Sequence, residues 1–188
     1  NIKDEKIVLL DDHFGHPSSL AIRGELNKSD INLHYQYLND FLNKLSNEFK
    51  KEIIICIHPK DDLELKKKLF SSYKVLKYQT RENIIESFIV IFFESTAIVD
   101  AILFKKNIIT IYSEFMDKSV RSASNQFKDI FRIPQVKLNQ NIKINKTQLL
   151  NNFNYSKVKF ENFISNYIQI DGENFGYKKI INNLKKYF

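Results

Sequence analysis

Short apolar runs alternate with longer amphipathic stretches from residue 6 to residue 113. The runs predict strands at residues 6–12, 52–57, 73–78, 88–93 and 107–112. Between them apolar residues recur at helical spacing, most clearly over residues 33–49, behind the polar capping residues Ser29-Asp30. Asp61-Asp62 and Ser95 stand at the starts of two shorter helical segments that follow strands.

This order of elements predicts an α/β fold, a Rossmann-like parallel sheet with helices on both faces. The run at 88–93 contains no polar residue, as expected for a strand that is covered on both sides. After Ser113 the pattern changes to a helix at 116–131, a short strand at 135–138 and helical segments over 146–168 and 177–188. We expect residues 1–188 to form a single domain, with the C-terminal helices 146–188 packed on it.

Composition supports a globular chain with a substantial core. Hydrophobic residues make up 43% of the 188 residues, with 16 Phe and 9 Tyr. The single cysteine, Cys56, lies inside an apolar run, so we expect no disulfide and a reducing, cytoplasmic compartment. No apolar run approaches the roughly 20 residues that a membrane-spanning helix needs.

The net charge of +7 has two interpretations. Lysines such as Lys66-Lys67-Lys68 are typical of solvated helix faces, and we favour this interpretation. The alternatives are attraction of phosphate groups, or peripheral contact with an anionic surface such as the inner membrane face. Neither a zinc-knuckle spacing nor an aromatic-basic RNA motif is present, so we expect no nucleic-acid partner.

His58-Pro59-Lys60 is the first candidate binding segment. Proline after His58 forces that histidine out of helical geometry, so the strand ends there and the imidazole projects over the sheet edge. An imidazole and the Lys60 ammonium at that position suit phosphate oxygens. The plainer interpretation is a histidine that only ends a strand and a lysine that only faces solvent.

Ser95-Thr96 is the second candidate, directly after the fourth predicted strand. Two hydroxyls beside the exposed N–H groups of a helix start can bind a phosphate without a glycine-rich loop. Glu94 stands on the same side and can accept hydrogen bonds from ribose hydroxyls, whereas Asp100 is expected to be structural. The alternative is an ordinary serine cap that serves only its helix.

The loop after the first strand, residues 12–19, completes the candidate site. Asp12, His13 and Gly15 should face the same crevice, with Gly15 allowing close approach of a ligand to the backbone. His13, His16 and Asp12 are too few for a metal site without a second ligand cluster, so we expect neither a metal nor a cofactor. No Walker, GxGxxG, GxSxG or CxxC motif occurs in the chain.

With these motifs, residues 6–113 resemble the C-terminal half of a GT-B glycosyltransferase. The similarity is to bacterial sialyltransferases, polysialyltransferases and Kdo transferases of capsule and lipooligosaccharide synthesis, which use CMP-activated sugars. These enzymes carry a His-Pro motif, a Ser-Ser/Thr motif that opens a helix, and a strand of the type "kkPvi". The counterparts here are His58-Pro59, Ser95-Thr96 and Lys105-Lys106-Asn107-Ile108-Ile109, with Asn107 where the family often has proline.

The resemblance implies a GT-B C-terminal domain that binds a nucleotide-sugar donor and acts with a saccharide acceptor. In the family the motif histidine and hydroxyls hold the nucleotide phosphate, and the histidine helps CMP to leave, which implies a catalytic role for His58. The acceptor site and catalytic base of a GT-B enzyme lie in an N-terminal domain. We therefore expect an upstream domain as partner, and little sugar transfer by this chain alone.

Three other functions stay open from the sequence. CDP-glycerol-type polymer transferases share a similar half, and UDP-sugar epimerases share the same two-domain fold. A member of another class, a non-catalytic nucleotide- or partner-binding α/β module, would keep the crevice without its chemistry.

Overall fold

A computed structural model of the chain describes residues 5–11, 14 and 28–165, with residue 28 described through its backbone alone. The strands are β1 (Lys6–Leu10), β2 (Glu52–Ile57), β3 (Lys74–Lys77), β4 (Ser87–Phe92), β5 (Asn107–Tyr112) and β6 (Gln135–Lys137). The helices are α1 (Lys28–Phe49), α2 (Leu63–Leu69), α3 (Thr80–Ile85), α4 (Ile98–Leu103), α5 (Lys118–Phe131) and α6 (Lys146–Phe163).

The six strands form one sheet in the order β3-β2-β1-β4-β5-β6, and every neighbouring pair is parallel. From β1 the chain first adds β2 and β3 on one side. It then returns to the other side of β1 and adds β4, β5 and β6 there. The predicted Rossmann-like parallel sheet is confirmed, including the short strand expected near residue 135. The reversal of order between β1 and β4 creates the crevice in which open α/β sheets bind ligands.

Alternating residues of the central strand divide the core into two layers. Ile7 and Leu9 of β1 pack into a cluster with α1 and with Phe153 of α6. Val8 and Leu10 pack on the opposite face with α3, α4 and Phe160 of α6. Side chains alternate across a strand, so a fully apolar β1 needs this cover on both faces.

Several element boundaries differ from the sequence prediction. α1 begins at Lys28, before the proposed caps Ser29 and Asp30, and β4 begins at Ser87. α4 begins at Ile98, because residues 95–97 form a turn ahead of it. Propensity fixes the centre of a helix better than its ends, where one local hydrogen bond shifts the boundary. The predicted helix at 177–188 and the chain break before it lie outside the described residues.

Within residues 28–165, no helix combines the length and the apolar character that crossing a bilayer would require.

Candidate functional site

The candidate site lies at the carboxyl edge of the sheet, where β1, β2 and β4 end at one level. Leu10 of β1 is in register with Cys56 of β2 and with Phe92 of β4. The Asp11 amide extends the ladder by donating to the Cys56 carbonyl at 2.9 Å. The segments after β2 and β4 therefore leave the sheet on either side of Asp11, about 10 Å apart at the usual strand spacing.

His58 follows β2 and occupies an exposed tight turn. The Asp61 amide donates to the His58 carbonyl at 2.9 Å, and the Lys60 amide donates to His58 Nδ1 at 3.1 Å. Because Nδ1 accepts a backbone N–H, the proton of the neutral imidazole lies on Nε2. The turn thus fixes the ring and its tautomer, and Pro59 and Lys60 are exposed beside it.

Ser95 and Thr96 follow β4, but they do not cap the helix as expected. Ala97 occupies the N-cap position, without a side-chain cap hydrogen bond, and α4 is only six residues long. The Ser95 hydroxyl accepts the Ala97 amide at 3.3 Å, and the Ser95 carbonyl accepts the Ile98 amide at 3.2 Å. Ser95 therefore serves the turn, while Thr96 and Glu94 are exposed at the edge.

The other predicted residues divide into two groups. Asp12, His13 and Gly15 lie outside the described residues, so their predicted place at the edge stays a prediction. Asp100, expected to be structural, has its carboxylate 3.6 Å from Arg81 Nε, which links α4 to α3.

Sequence reasoning missed a buried ion cluster beneath this edge, formed by Asp11, Tyr35, Asp61 and Lys66. Lys66 Nζ donates to Asp11 Oδ2 at 2.5 Å and to the Tyr35 hydroxyl at 2.7 Å. Asp61 Oδ2 lies 3.7 Å from the same ammonium. The Tyr35 hydroxyl in turn donates to the Phe14 carbonyl at 3.1 Å. The cluster joins β1, α1, α2 and the His58 turn.

The assignment of Lys66 to a solvated helix face is wrong, since its side chain is only 3% exposed. Burial opposes its charge, but the Asp11 carboxylate and the Tyr35 hydroxyl outweigh that effect and raise the pKa of Lys66. Burial, together with Asp11, raises the pKa of Tyr35, so it remains a donor. One signal for this position was available: Lys66 lies at helical spacing between Leu63 and Phe70, on the apolar side of α2.

A second buried polar pair lies toward β5. His34 Nδ1 is 2.9 Å from Ser113 Oγ, and both side chains are almost fully buried. The ring centres of Phe14 and Phe93 lie 4.4 Å and 5.4 Å from the centre of the imidazole ring. Burial, aided by the positive charge of Lys66, lowers the pKa of His34 to about 3. His34 is therefore neutral near neutral pH, and it packs as a buried polar side chain against Phe14 and Phe93.

The opposite, amino-terminal edge of the sheet carries a surface groove of about 690 Å³. It is lined by Asn39 and Asn43 of α1 and by Ser71 and Ser72 ahead of β3. This groove lies at the beginning of β2 and β3, whereas His58 and Ser95 follow strand ends. It is thus separate from the candidate site. Among the residues that the structure describes, no group of three His, Cys, Asp or Glu side chains is placed to hold a metal ion.

No protein-family model and no curated protein matches the sequence. Among solved structures, the chain is similar to the UDP-GlcNAc 2-epimerase of Methanocaldococcus jannaschii, crystallised in complex with UDP-GlcNAc and UDP. The TM-score is 0.49 and the sequence identity 15%. The match covers 98% of this chain and 46% of that one, so the chain spans about half the length of the epimerase.

Proposed function

We propose that the carboxyl edge of this sheet binds the nucleotide of an activated sugar, and that the chain is the donor-binding half of a glycosyltransferase. The donor we propose is a CMP-sugar, of the sialic acid or Kdo type, and the acceptor a surface polysaccharide or lipooligosaccharide. One observation carries the proposal: His58 and Ser95-Thr96 leave the sheet on either side of β1, where the strand order reverses.

The spacing supports one phosphate held from two sides. Side chains that follow β2 and β4 flank β1, each one strand spacing of about 4.8 Å away. A phosphate above the end of β1 would lie within reach of the His58 imidazole on one side and the Thr96 hydroxyl on the other. Lys60 adds a positive charge on the His58 side.

The proposed reaction is displacement at the anomeric carbon. The acceptor oxygen forms the new glycosidic bond while the bond between that carbon and the phosphate oxygen breaks, and CMP leaves with the electron pair. Negative charge grows on the phosphate, so donors that are already in place stabilise the transition state more than the ground state. His58, with its proton on Nε2, is the residue we propose to assist departure of CMP. In this proposal the acceptor and its base come from the upstream domain.

The proposal is tested by calorimetric titration of the chain with CMP, UMP, CDP and UDP. We expect CMP to bind most tightly. His58→Ala and the double variant Ser95→Ala/Thr96→Ala should each weaken CMP binding by about 1–3 kcal/mol, the usual cost of a lost hydrogen bond to a charged group. The double variant Ser71→Ala/Ser72→Ala, which removes two exposed hydroxyls at the opposite edge, is the matched control and should leave the affinity unchanged.

The outcomes separate the candidate donor nucleotides and the candidate binding sites. Tighter binding of CDP or UDP would replace the CMP-sugar donor with another activated group at the same edge. Unchanged CMP affinity in both edge variants, with the fold intact, would place the site elsewhere. No binding of any of the four nucleotides would contradict the proposal altogether.

A further inference from the structure

Tyr78 has an unusual backbone conformation for its place in the fold. Among the described residues, four that are not glycine have positive φ: Lys50, Tyr78, Lys105 and Arg132. Lys50, Lys105 and Arg132 each follow the end of a helix, where a left-handed residue is a common way to stop. Tyr78, at φ 67°, instead follows strand β3. The left-handed conformation is unfavourable for a residue with a bulky side chain, and such strain concentrates at functional sites.

The same residue exposes a large aromatic ring that contacts the turn after β2. The Tyr78 side chain is 72% exposed, and its hydroxyl donates to the Pro59 carbonyl at 3.4 Å. The Lys77 ammonium lies over the ring, 5.3 Å from its centre, and donates to the Asp61 carbonyl at 2.9 Å. Tyr78 therefore connects the end of β3 to the turn after β2 through its hydroxyl, while most of its surface faces solvent.

Register places this ring beside the proposed phosphate site. Ile57 of β2 pairs with Lys77 of β3, so Tyr78 stands level with His58, one strand spacing away. The two residues leave the carboxyl edge side by side. A nucleotide whose phosphate lies near His58 can therefore extend its base toward β3.

We propose that Tyr78 is the platform on which the base of the bound nucleotide stacks, an inference that rests on the proposed function. Aromatic rings stack on bases of any identity, because every base has a π face. In this proposal the left-handed backbone of Tyr78 directs its ring toward the Pro59 carbonyl rather than along the strand. The platform supplies affinity, and base identity is read by other groups.

The test uses the opposite effects that the substitution has on folding and on binding. Tyr78→Gly removes the ring and relieves the left-handed strain, so we expect the melting temperature to rise by about 2–4 °C. We expect the same variant to bind CMP about 10-fold more weakly. Tyr78→Asn, which tolerates the same backbone, should behave similarly, and Tyr78→Phe should keep at least half of the wild-type affinity. Lys50→Gly is the matched control, which should raise stability without changing CMP affinity.

Wild-type CMP affinity in Tyr78→Gly and Tyr78→Asn would overturn the platform while leaving the proposed function in place. Loss of affinity in Tyr78→Phe as large as in Tyr78→Gly would also overturn it, because the ring would then not be the determinant. A wild-type chain that binds none of the four nucleotides would contradict the proposed function itself, and the platform with it.

Discussion

His34 is an ionisable side chain placed where the protein disfavours its charge. The imidazole is 1% exposed, lies between the rings of Phe14 and Phe93, and has the Ser113 hydroxyl as its neutral partner. Protonation would bury a positive charge near a second one on Lys66. Desolvation is the larger cause of the lowered pKa, and the charge of Lys66 adds to it.

This arrangement predicts a stability that falls in mild acid. The unfolded imidazole binds a proton as pH falls below 6.5, whereas the folded one stays neutral until about pH 3. The unfolded state therefore holds more protons in this window, so the free energy of unfolding falls as pH decreases from 6.5 toward 3. The slope from this group is about half of 1.4 kcal/mol per pH unit at pH 6.5, where the unfolded imidazole is half protonated, and approaches about 1.4 kcal/mol per pH unit near pH 5. Urea unfolding at half-unit steps from pH 7 to pH 5 measures it.

His34→Gln isolates the contribution, because all other titrating groups are shared with the wild type. The glutamine side chain keeps a hydrogen-bonding group near Ser113 but does not titrate. The difference in unfolding free energy between the two proteins should therefore change with pH across this range. A difference that stays constant from pH 7 to pH 5 would show that His34 is not the group responsible.

Some single residues were predictable and others were not. Pro59 ends β2 by steric exclusion, a local effect that sequence reveals, so the edge position of His58 was correctly predicted. The buried state of Lys66 depends on Asp11 and Tyr35, which lie 55 and 31 residues away along the chain. Only tertiary packing brings these partners together, so composition favoured the wrong, solvated interpretation.

At the scale of elements, the buried ion cluster ties α1 and α2 to the end of β1. The Lys66 ammonium contacts Asp11, Tyr35 and Asp61 together. Removing one partner from a buried ion pair leaves the other charge without compensation, and the usual cost is about 3–5 kcal/mol.

Lys66→Met should accordingly destabilise the protein by about 3–5 kcal/mol in a urea unfolding experiment. Lys67→Met is the matched control on the same helix, because the Lys67 side chain is 49% exposed and pairs with exposed Glu64 at 2.8 Å. Its effect should stay within about 0.5 kcal/mol. Equal effects of the two substitutions would contradict the account of the cluster. The double variant Asp11→Asn/Lys66→Met should recover part of the loss.

Elements were predicted well where local chemistry determines them. The run at β4 gave a strand because all its interior residues are apolar, and Asp62 begins α2 by accepting the amides of Glu64 and Leu65 at 2.8 and 3.0 Å. Ser95 misled for a physical reason. A serine before an apolar stretch is typical of a helix cap, but the same hydroxyl can close a short turn, as it does here with Ala97.

At the scale of the whole molecule, one sheet presents two polar edges with different characters. The carboxyl edge carries His58, Lys60 and Thr96 above a buried ion cluster, and the strand order reverses there. The amino edge carries the groove lined by Asn39, Asn43, Ser71 and Ser72. The parallel sheet follows from the alternation of apolar runs and helices, so the sequence could place strand ends at one edge. It could not reveal the groove, whose walls come from segments distant along the chain.

We propose the carboxyl edge, and not the groove, as the surface that binds the nucleotide. The most direct measurement is the change in backbone amide NMR shifts of the labelled chain during titration with CMP. We predict changes concentrated at residues 58, 60, 61, 78 and 94–98, with residues 39–46 and 71–74 unaffected. Changes centred on residues 39–46 and 71–74, or no changes after both β2 and β4 at saturating CMP, would contradict the account.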